Sequence, residues 1–127
     1  MISKKIIQTF KAPEAIGPYS QAIVYGDTLF CSGQIGLDPT TGKMVVGGLE
    51  AQVNQVMQNL EAILQEAGIG FDHVLKCSLF LDDMAHFQKV NEIYSTFFVT
   101  NKPARETMAV KSLPKGAMIE ISCIAHM

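Results

Sequence analysis

Apolar residues recur at helical spacing in two stretches of the chain. The first begins at Leu49 and follows the i, i+4, i+7, i+11 pattern of one helix face: Leu49, Val53, Val56, Leu60, Ile63, Leu64 and Ala67. Gly68 and Gly70 predict its end. A second helix is predicted after Asp82 and Asp83, which are good N-caps, and before Asn101-Lys102-Pro103. Its apolar stripe comprises Met84, Phe87, Val90, Tyr94, Phe97 and Phe98.

Shorter segments rich in β-forming residues predict strands. They cover residues 3–8, 21–25, 28–32, 74–81, 105–110 and 118–125. Gly26-Asp27 indicates a hairpin between the second and third. In the fourth, Leu75, Cys77, Leu79 and Leu81 are expected on one face, with Lys76 and Ser78 on the other.

The resulting order, ββ(β)αβαββ, predicts one α+β domain over residues 1–127, with a mixed sheet and both helices on one face. The β-α-β passes require crossovers, whereas the terminal strand pairs can form hairpins. No third helix is available to cover the opposite face of the sheet. Pairing of sheets between subunits would cover it, which favours an oligomer.

Composition narrows the possible partners. Apolar residues make up 48% of the chain and charged residues 17%, which fits either self-association or a large core. Net charge is −2, and the ten Lys and Arg residues are scattered, which argues against nucleic acid as the main partner. The N-terminal residues lack a signal-peptide core, and no apolar run approaches the ~20 residues of a membrane span. We therefore expect a cytoplasmic protein without membrane contact.

The cysteines and histidines do not indicate a metal site. Cys31, Cys77 and Cys123 each lie in an apolar run, which is typical of reduced, buried thiols, with a nucleophilic cysteine as the less favoured alternative. The three histidines lack metal-ligand spacing. No metal ion is expected.

Arg105 is the sole arginine, beside nine lysines. Arginine is favoured over lysine where a planar fork must bind a carboxylate through two parallel hydrogen bonds. It opens a predicted strand after Pro103-Ala104, which would fix its direction. A structural ion pair is the alternative.

Four further positions are candidates for a site. Glu120 lies between Ile119 and Ile121; facing a cleft it could hold a water or move a proton, and on an outward face it would merely be solvated. The turn Gly17-Pro-Tyr-Ser-Gln21 presents Tyr19, which could instead pack in the core. Ser32-Gly33-Gln34 follows a strand, where Gly33 permits close approach of a ligand or forms a plain bulge. Asn91 interrupts the polar–apolar rhythm of the second helix and could equally be solvated.

These segments together resemble the Rid family of reactive-intermediate imine deaminases, once called endoribonuclease L-PSP-like proteins. The motifs that carry the resemblance occur in register over nearly the whole chain: Gly17-Pro-Tyr-Ser-Gln-Ala22, Ser32-Gly-Gln-Ile35, Val90-Asn91 with Tyr94 and Phe97-Phe98, Pro103-Ala-Arg105, and Leu113-Pro114 with Ile119-Glu-Ile121. The resemblance implies a chorismate-mutase-like fold and a homotrimer with three clefts between subunits.

It also implies hydrolysis of enamines and imines such as 2-aminoacrylate and 2-iminobutyrate to 2-keto acids and ammonia, which protects pyridoxal-phosphate enzymes, with no cofactor. Arg105 would bind the substrate carboxylate, and Glu120 with the Gly33 carbonyl would position the attacking water. The remaining residues implied to line the cleft are Tyr19, Ser32 and Asn91.

Two positions depart from the family pattern. Glu106 stands where a small or apolar residue is usual, and Thr107 where many active members have cysteine. Strand alternation directs Glu106 away from Arg105 and Thr107 towards the same side, where the backbone groups of Thr107 could contact the substrate carboxylate. Glu106 nevertheless adds negative charge near Arg105.

Two other functions compete with the deaminase. One is a non-catalytic module that binds 2-keto acids in the same cleft. The other is an RNA-cleaving or translation-inhibiting protein, which the acidic charge balance disfavours.

Overall fold

Six strands form one sheet in the computed structural model, which describes residues 3–127. The strands are β1 (Lys4–Ile7), β2 (Ala22–Tyr25), β3 (Thr28–Gln34), β4 (Val74–Leu81), β5 (Ala104–Ala109) and β6 (Ile119–His126). They lie in the order β1-β2-β3-β6-β4-β5. β4 and β5 pair in parallel, and the other pairings are antiparallel. The predicted α+β class, strand order along the chain and mixed sheet are confirmed.

Two helices, α1 (Gly48–Glu66) and α2 (Phe87–Phe97), cover one face of this sheet. α1 ends as predicted at Gly68, where the N–H of Gly68 donates to Gln65 and that of Ile69 to Leu64, the two bonds of a Schellman motif. Beneath the helices lie the fully buried side chains of alternate strand residues, among them Leu79, Ile119 and Ile121. No helix within residues 3–127 has the length and apolar character needed to cross a bilayer.

The C-terminal strand β6 is inserted at the centre of the sheet. The hairpin considered for the last two strands is therefore wrong, because β6 pairs with β3 and β4 and not with β5. Its alternate residues from Ile119 to Ala125 are buried, as expected of a strand with neighbours on both sides. The turn around Pro114 carries the chain across β4 instead of reversing it.

Two predictions of side-chain direction are wrong. A register irregularity between Val74 and Lys76 turns Leu75 outward, where half of its surface is exposed. Met84 lies in a short 3₁₀ turn, Met84–His86, and is also exposed, so it does not share the apolar stripe of α2. Asp83 caps that turn by accepting a hydrogen bond from the N–H of Ala85 at 2.8 Å.

The sheet face opposite the helices, here called the open face, carries apolar side chains. Cross-strand pairing aligns Ile6, Ile23, Phe30 and Ile124 in one row across four strands. Ile6 is 60% and Phe30 49% exposed. Within residues 3–127, the apolar side chains of the open face are therefore left partly exposed, as the sequence predicts for a single chain.

Candidate active site

A cleft of about 520 Å³ lies beside Glu120, where the loop between β1 and β2 passes the ends of β3 and β6. We call it the Glu120 cleft. It brings together four predicted site residues: Tyr19, Ser32, Gly33 and Glu120. Its other lining residues are largely apolar and include Ile16, Ile35, Leu37 and Pro114.

The wall of the cleft that carries Tyr19 is fixed by Gln21. The buried Gln21 amide accepts from the N–H of Thr9 at 2.8 Å and donates to the carbonyls of Thr9 and Pro13 at 3.0 and 2.8 Å. Ser32 Oγ donates to the Ser20 carbonyl at 2.6 Å. Tyr19 itself is 55% exposed, so the alternative that it packs in the core is wrong. These hydrogen bonds thus fix the loop while the Tyr19 side chain remains accessible to a ligand.

Glu120 and Gly33 are in close contact. A Cβ at Gly33 would lie only 2.6 Å from Glu120 Oε2, so glycine is needed for the carboxylate to occupy its position. Gly33 also lies where the β3–β6 register shifts, which supports the bulge, and close approach of a ligand to Gly33 stays a prediction. Glu120 is half-buried on the open face, and burial raises the pKa of its carboxyl group. A carboxylate of raised pKa at a cleft is suited to accept a proton from water.

Arg105 lies on the opposite side of the sheet, against α2. Its Cζ is 5.0 Å from the ring centroid of Tyr94 and 5.6 Å from that of Phe87. Its Nη1 donates to Asn91 Oδ1 at 2.7 Å. The ion pairs within residues 3–127 join other side chains, so the structural ion pair considered for Arg105 is wrong. Its remaining N–H groups are available to an anion.

Arg105 and Glu120 cannot meet within one chain. Arg105 pairs with Cys77, whose thiol is buried under the helices, whereas Glu120 pairs with Phe80 and faces away from them. Two strand spacings of ~4.8 Å and three residue rises of ~3.4 Å separate their Cα atoms by roughly 14 Å, with the side chains on opposite faces. The predicted site residues therefore fall into two separate groups, Arg105 with Asn91 and the Glu120 cleft, which we call half-sites.

Glu106 does not place its negative charge beside Arg105, although the sequence suggested that it would add charge near the guanidinium. It points to the open face, where it accepts a hydrogen bond from Ser78 Oγ at 2.8 Å and pairs with Lys76 Nζ at 3.6 Å. The Ser78 hydrogen bond and the Lys76 charge lower the pKa of the Glu106 carboxyl group. Its negative charge is thus engaged on the face away from the guanidinium.

Thr107 lies on the Arg105 side of β5, as alternation predicts. Its Oγ1 is buried without a hydrogen-bond partner among the residues described. The hydroxyl thus retains unused hydrogen-bonding capacity two residues from Arg105. Its proposed contact with substrate stays a prediction.

The cysteines have the environment of inert thiols. All three are free and buried. Burial raises the pKa of Cys77 to about 12, and a hydrogen bond with Cys31 together with burial raises that of Cys123. Neither thiolate is therefore available near neutral pH, which disfavours these two as nucleophiles. Over residues 3–127, no group of three metal-ligating side chains converges.

The sequence does not predict two features of the site. Its pattern places Phe87 and Tyr94 only in the core stripe of α2, although both rings face Arg105. Their i, i+7 spacing, with Asn91 between them at i+4, was the available signal. Lys115, which lines the Glu120 cleft, has φ 56° in the left-handed region, and no sequence signal marked it.

Comparison with known proteins gives the family. The sequence profile described as Endoribonuclease L-PSP matches residues 9–127. A 2-iminobutanoate/2-iminopropanoate deaminase of Mus musculus is 48% identical over 124 residues, covering 98% of this chain and 92% of that protein. A Yersinia pestis protein of unknown function of the conserved Rid protein family, YyfA, superposes with a TM-score of 0.96 at 43% identity, covering 98% of this chain and 100% of that one. Escherichia coli TdcF with bound serine superposes with a TM-score of 0.93 at 36% identity, covering 97% and 98%. The chain therefore belongs to the endoribonuclease L-PSP, or Rid, family.

Proposed function

We propose that this protein hydrolyses 2-aminoacrylate and 2-iminobutanoate-type enamines and imines to 2-keto acids and ammonia, and thereby protects pyridoxal-phosphate enzymes. One arrangement carries the proposal: an arginine that is held by α2 and has no acidic partner within residues 3–127, together with a half-buried carboxylate beside a cleft. An arginine fork suits the carboxylate of an imino acid, and a partly buried glutamate suits a water. The mouse relative carries the name of this activity.

The proposed site requires two copies of the chain. Because Arg105 and Glu120 lie on opposite faces, Arg105 of one copy would complete the Glu120 cleft of another. A closed ring of three copies gives three such sites, and it would cover the apolar open face at the same time. We therefore propose a homotrimer with the active sites between subunits, acting in the cytoplasm.

Within that site each residue has a distinct task. Arg105 binds the substrate carboxylate, and Asn91 orients the guanidinium. Glu120, with the Gly33 carbonyl, holds a water and takes its proton as the water oxygen bonds to the imine carbon. Return of that proton to the imine nitrogen gives a carbinolamine. Transfer of the carbinolamine hydroxyl proton to the amino nitrogen through Glu120 then forms the C=O bond as the C–N bond breaks, so that ammonia leaves and the keto acid remains. An enamine substrate reacts through its imine tautomer. Tyr19 and Ser32 line the cleft, and Thr107 contributes polar groups beside Arg105.

No further chemical group is required by this reaction. Imines hydrolyse in water unaided, so orientation and proton transfer suffice to accelerate the step. Truncation of Arg105 should cost on the order of 2–5 kcal/mol in kcat/KM, the range for loss of one partner of a buried charge pair.

The activity is tested by following keto-acid and ammonia release when the purified protein is added to a threonine or serine dehydratase. Wild-type protein should accelerate release, whereas Arg105→Ala and Glu120→Gln should not. Equal rates with and without wild-type protein would refute the deaminase. Saturable binding of 2-oxobutanoate without turnover would instead indicate a non-catalytic keto-acid module.

The division of the site between copies is tested by mixing the two inactive variants. Reassembled equimolar mixtures of Arg105→Ala and Glu120→Gln should recover about a quarter of wild-type activity, because one interface in four unites an intact Arg105 with an intact Glu120. A mixture as inactive as either parent would contradict a shared site. Mixtures of wild type with itself, carried through the same reassembly, give the reference.

A further inference from the structure

Three side chains on one face of α2 enclose the Arg105 guanidinium. Phe87, Asn91 and Tyr94 are spaced i, i+4 and i+7, so they project side by side from the helix. The two rings lie 5.6 and 5.0 Å from Cζ, and the Asn91 amide oxygen between them accepts a 2.7 Å hydrogen bond from Nη1. A single helix face thus supplies ring, acceptor and ring to one cation.

Both ring distances fall within the ~6 Å at which an aromatic face attracts a cation. The rings pack on the guanidinium, which stays exposed in the single chain, while the Asn91 acceptor fixes its rotation in its own plane. The N–H groups not used by Asn91 are therefore left in a set direction. A long arginine side chain loses much rotamer freedom when it binds a ligand, and holding it in advance reduces that loss.

The Tyr94 hydroxyl does not account for the choice of an aromatic residue here. Tyr94 is only 8% exposed, and its Oη has no well-formed hydrogen bond among the residues described, lying beside the Cys77 thiol. The defined contacts of the Tyr94 side chain are those of its ring, which lies 5.0 Å from the Arg105 Cζ and 4.7 Å from the Phe98 ring.

We infer that Phe87 and Tyr94 are positioning residues that hold the Arg105 guanidinium, through their ring faces, in the orientation that receives a carboxylate. The inference rests on the proposed function of Arg105 as the carboxylate clamp. An arginine that binds the carboxylate equally strongly in the ground state and in the transition state affects KM more than kcat. Loss of either ring should therefore weaken ligand binding and leave turnover of bound substrate largely intact.

The sole arginine of the chain permits a direct test. Labelling with ¹⁵N-arginine gives one side-chain Nε–Hε NMR signal, and it belongs to Arg105. Ring currents from Phe87 and Tyr94 should displace that signal from its value in the unfolded protein. Phe87→Leu and Tyr94→Leu should each move it towards the unfolded value, whereas Tyr94→Phe, which keeps the ring, should leave it in place.

Binding of 2-oxobutanoate, measured by calorimetry, gives the functional readout. Each leucine variant should weaken binding about threefold to tenfold, the range that corresponds to a cation–ring contact. In the deaminase assay KM should rise by a similar factor with kcat little changed, and Tyr94→Phe should match wild type in both. The control is Phe97→Leu, which removes an α2 ring that packs on Phe71 at 5.8 Å and does not face Arg105.

The outcomes separate this inference from the proposed function. An Arg105 signal unchanged in both leucine variants, or moved as far by Tyr94→Phe as by Tyr94→Leu, would overturn the positioning role. Equal losses in Phe97→Leu would also overturn it, since they would trace to general packing. The Arg105 signal could respond as expected in a protein that neither binds 2-oxobutanoate nor deaminates. That result would support the positioning role of the two rings and refute only the proposed function.

Discussion

Replacing Gly33 by alanine tests the coupling between β3 and the Glu120 carboxylate. The added Cβ would lie 2.6 Å from Oε2, 2.8 Å from Cδ and 2.9 Å from Cγ of Glu120, where ordinary contact begins at 3.4 Å. The carboxylate must therefore retreat by about 0.8 Å, the difference between 2.6 and 3.4 Å. A displacement of ~1 Å at a catalytic group costs on the order of 10²-fold in rate. We expect Gly33→Ala to lower kcat by about that factor.

Stability should change much less than activity. The contact is with a side chain that can rotate, so the strain is that of an off-rotamer glutamate, about 0.5–1.5 kcal/mol. Urea unfolding measures this cost, and keto-acid release measures the rate. Gly70→Ala is the matched control, because a Cβ at Gly70 meets no atom within 4 Å.

A double variant isolates the cause. In a Glu120→Ala background the clashing atoms are absent, so adding Gly33→Ala should no longer reduce stability. Full activity of Gly33→Ala would refute the reasoning. So would an equal stability loss in the presence and absence of the Glu120 side chain, because the strain would then lie in the backbone.

Three further outcomes are expected. Asn59→Ala should lower the free energy of unfolding in urea by about 1–3 kcal/mol, because the buried Asn59 amide donates to two backbone carbonyls, those of Ile35 and Leu37, at 3.1 and 3.0 Å. Glu106→Ala should leave kcat/KM within about threefold of wild type, since Glu106 faces away from Arg105 and exposed charge pairs contribute little; a collapse of activity would contradict the assigned direction. Glu120→Gln should stabilise the fold at pH 7, because burial raises the pKa of Glu120 and so disfavours its ionised form in the folded state. Protonation of Glu120 contributes stability fully below its unfolded pKa, and this is lost as pH rises through the folded value, so the advantage of the variant in thermal unfolding should shrink as pH falls towards 4.5.

The local periodicity of the sequence is sufficient to predict those elements that are determined by their own residues. α1 was predicted almost to the residue because its apolar stripe and the glycine that ends it are both local signals. The directions of Arg105, Glu106 and Thr107 followed from the period of a strand alone. Membership in the Rid family followed from motifs spread along the chain, and comparison confirmed it.

Features that depend on pairing between distant segments were not predictable. The insertion of β6 between β3 and β4 involves contacts with two distant segments, and no local pattern encodes which strands become neighbours. The irregularity that exposes Leu75 arises only when β4 meets β6. Phe87 and Tyr94 look like ordinary core residues until β5 brings Arg105 against them.

The position of the half-sites ties the proposed activity to assembly. A sheet with side chains on both faces cannot direct Arg105 and Glu120 to one ligand, since β4 separates their strands and the faces are opposed. The same sheet leaves Ile6 and Phe30 exposed on its open face, and burial of apolar surface contributes roughly 25 cal/mol per Å². An interface that covers this face could therefore stabilise the fold and unite the half-sites in one contact. It follows that a substitution on the open face outside the lining of the Glu120 cleft, such as Phe30→Lys, should dissociate the proposed assembly and abolish deamination together.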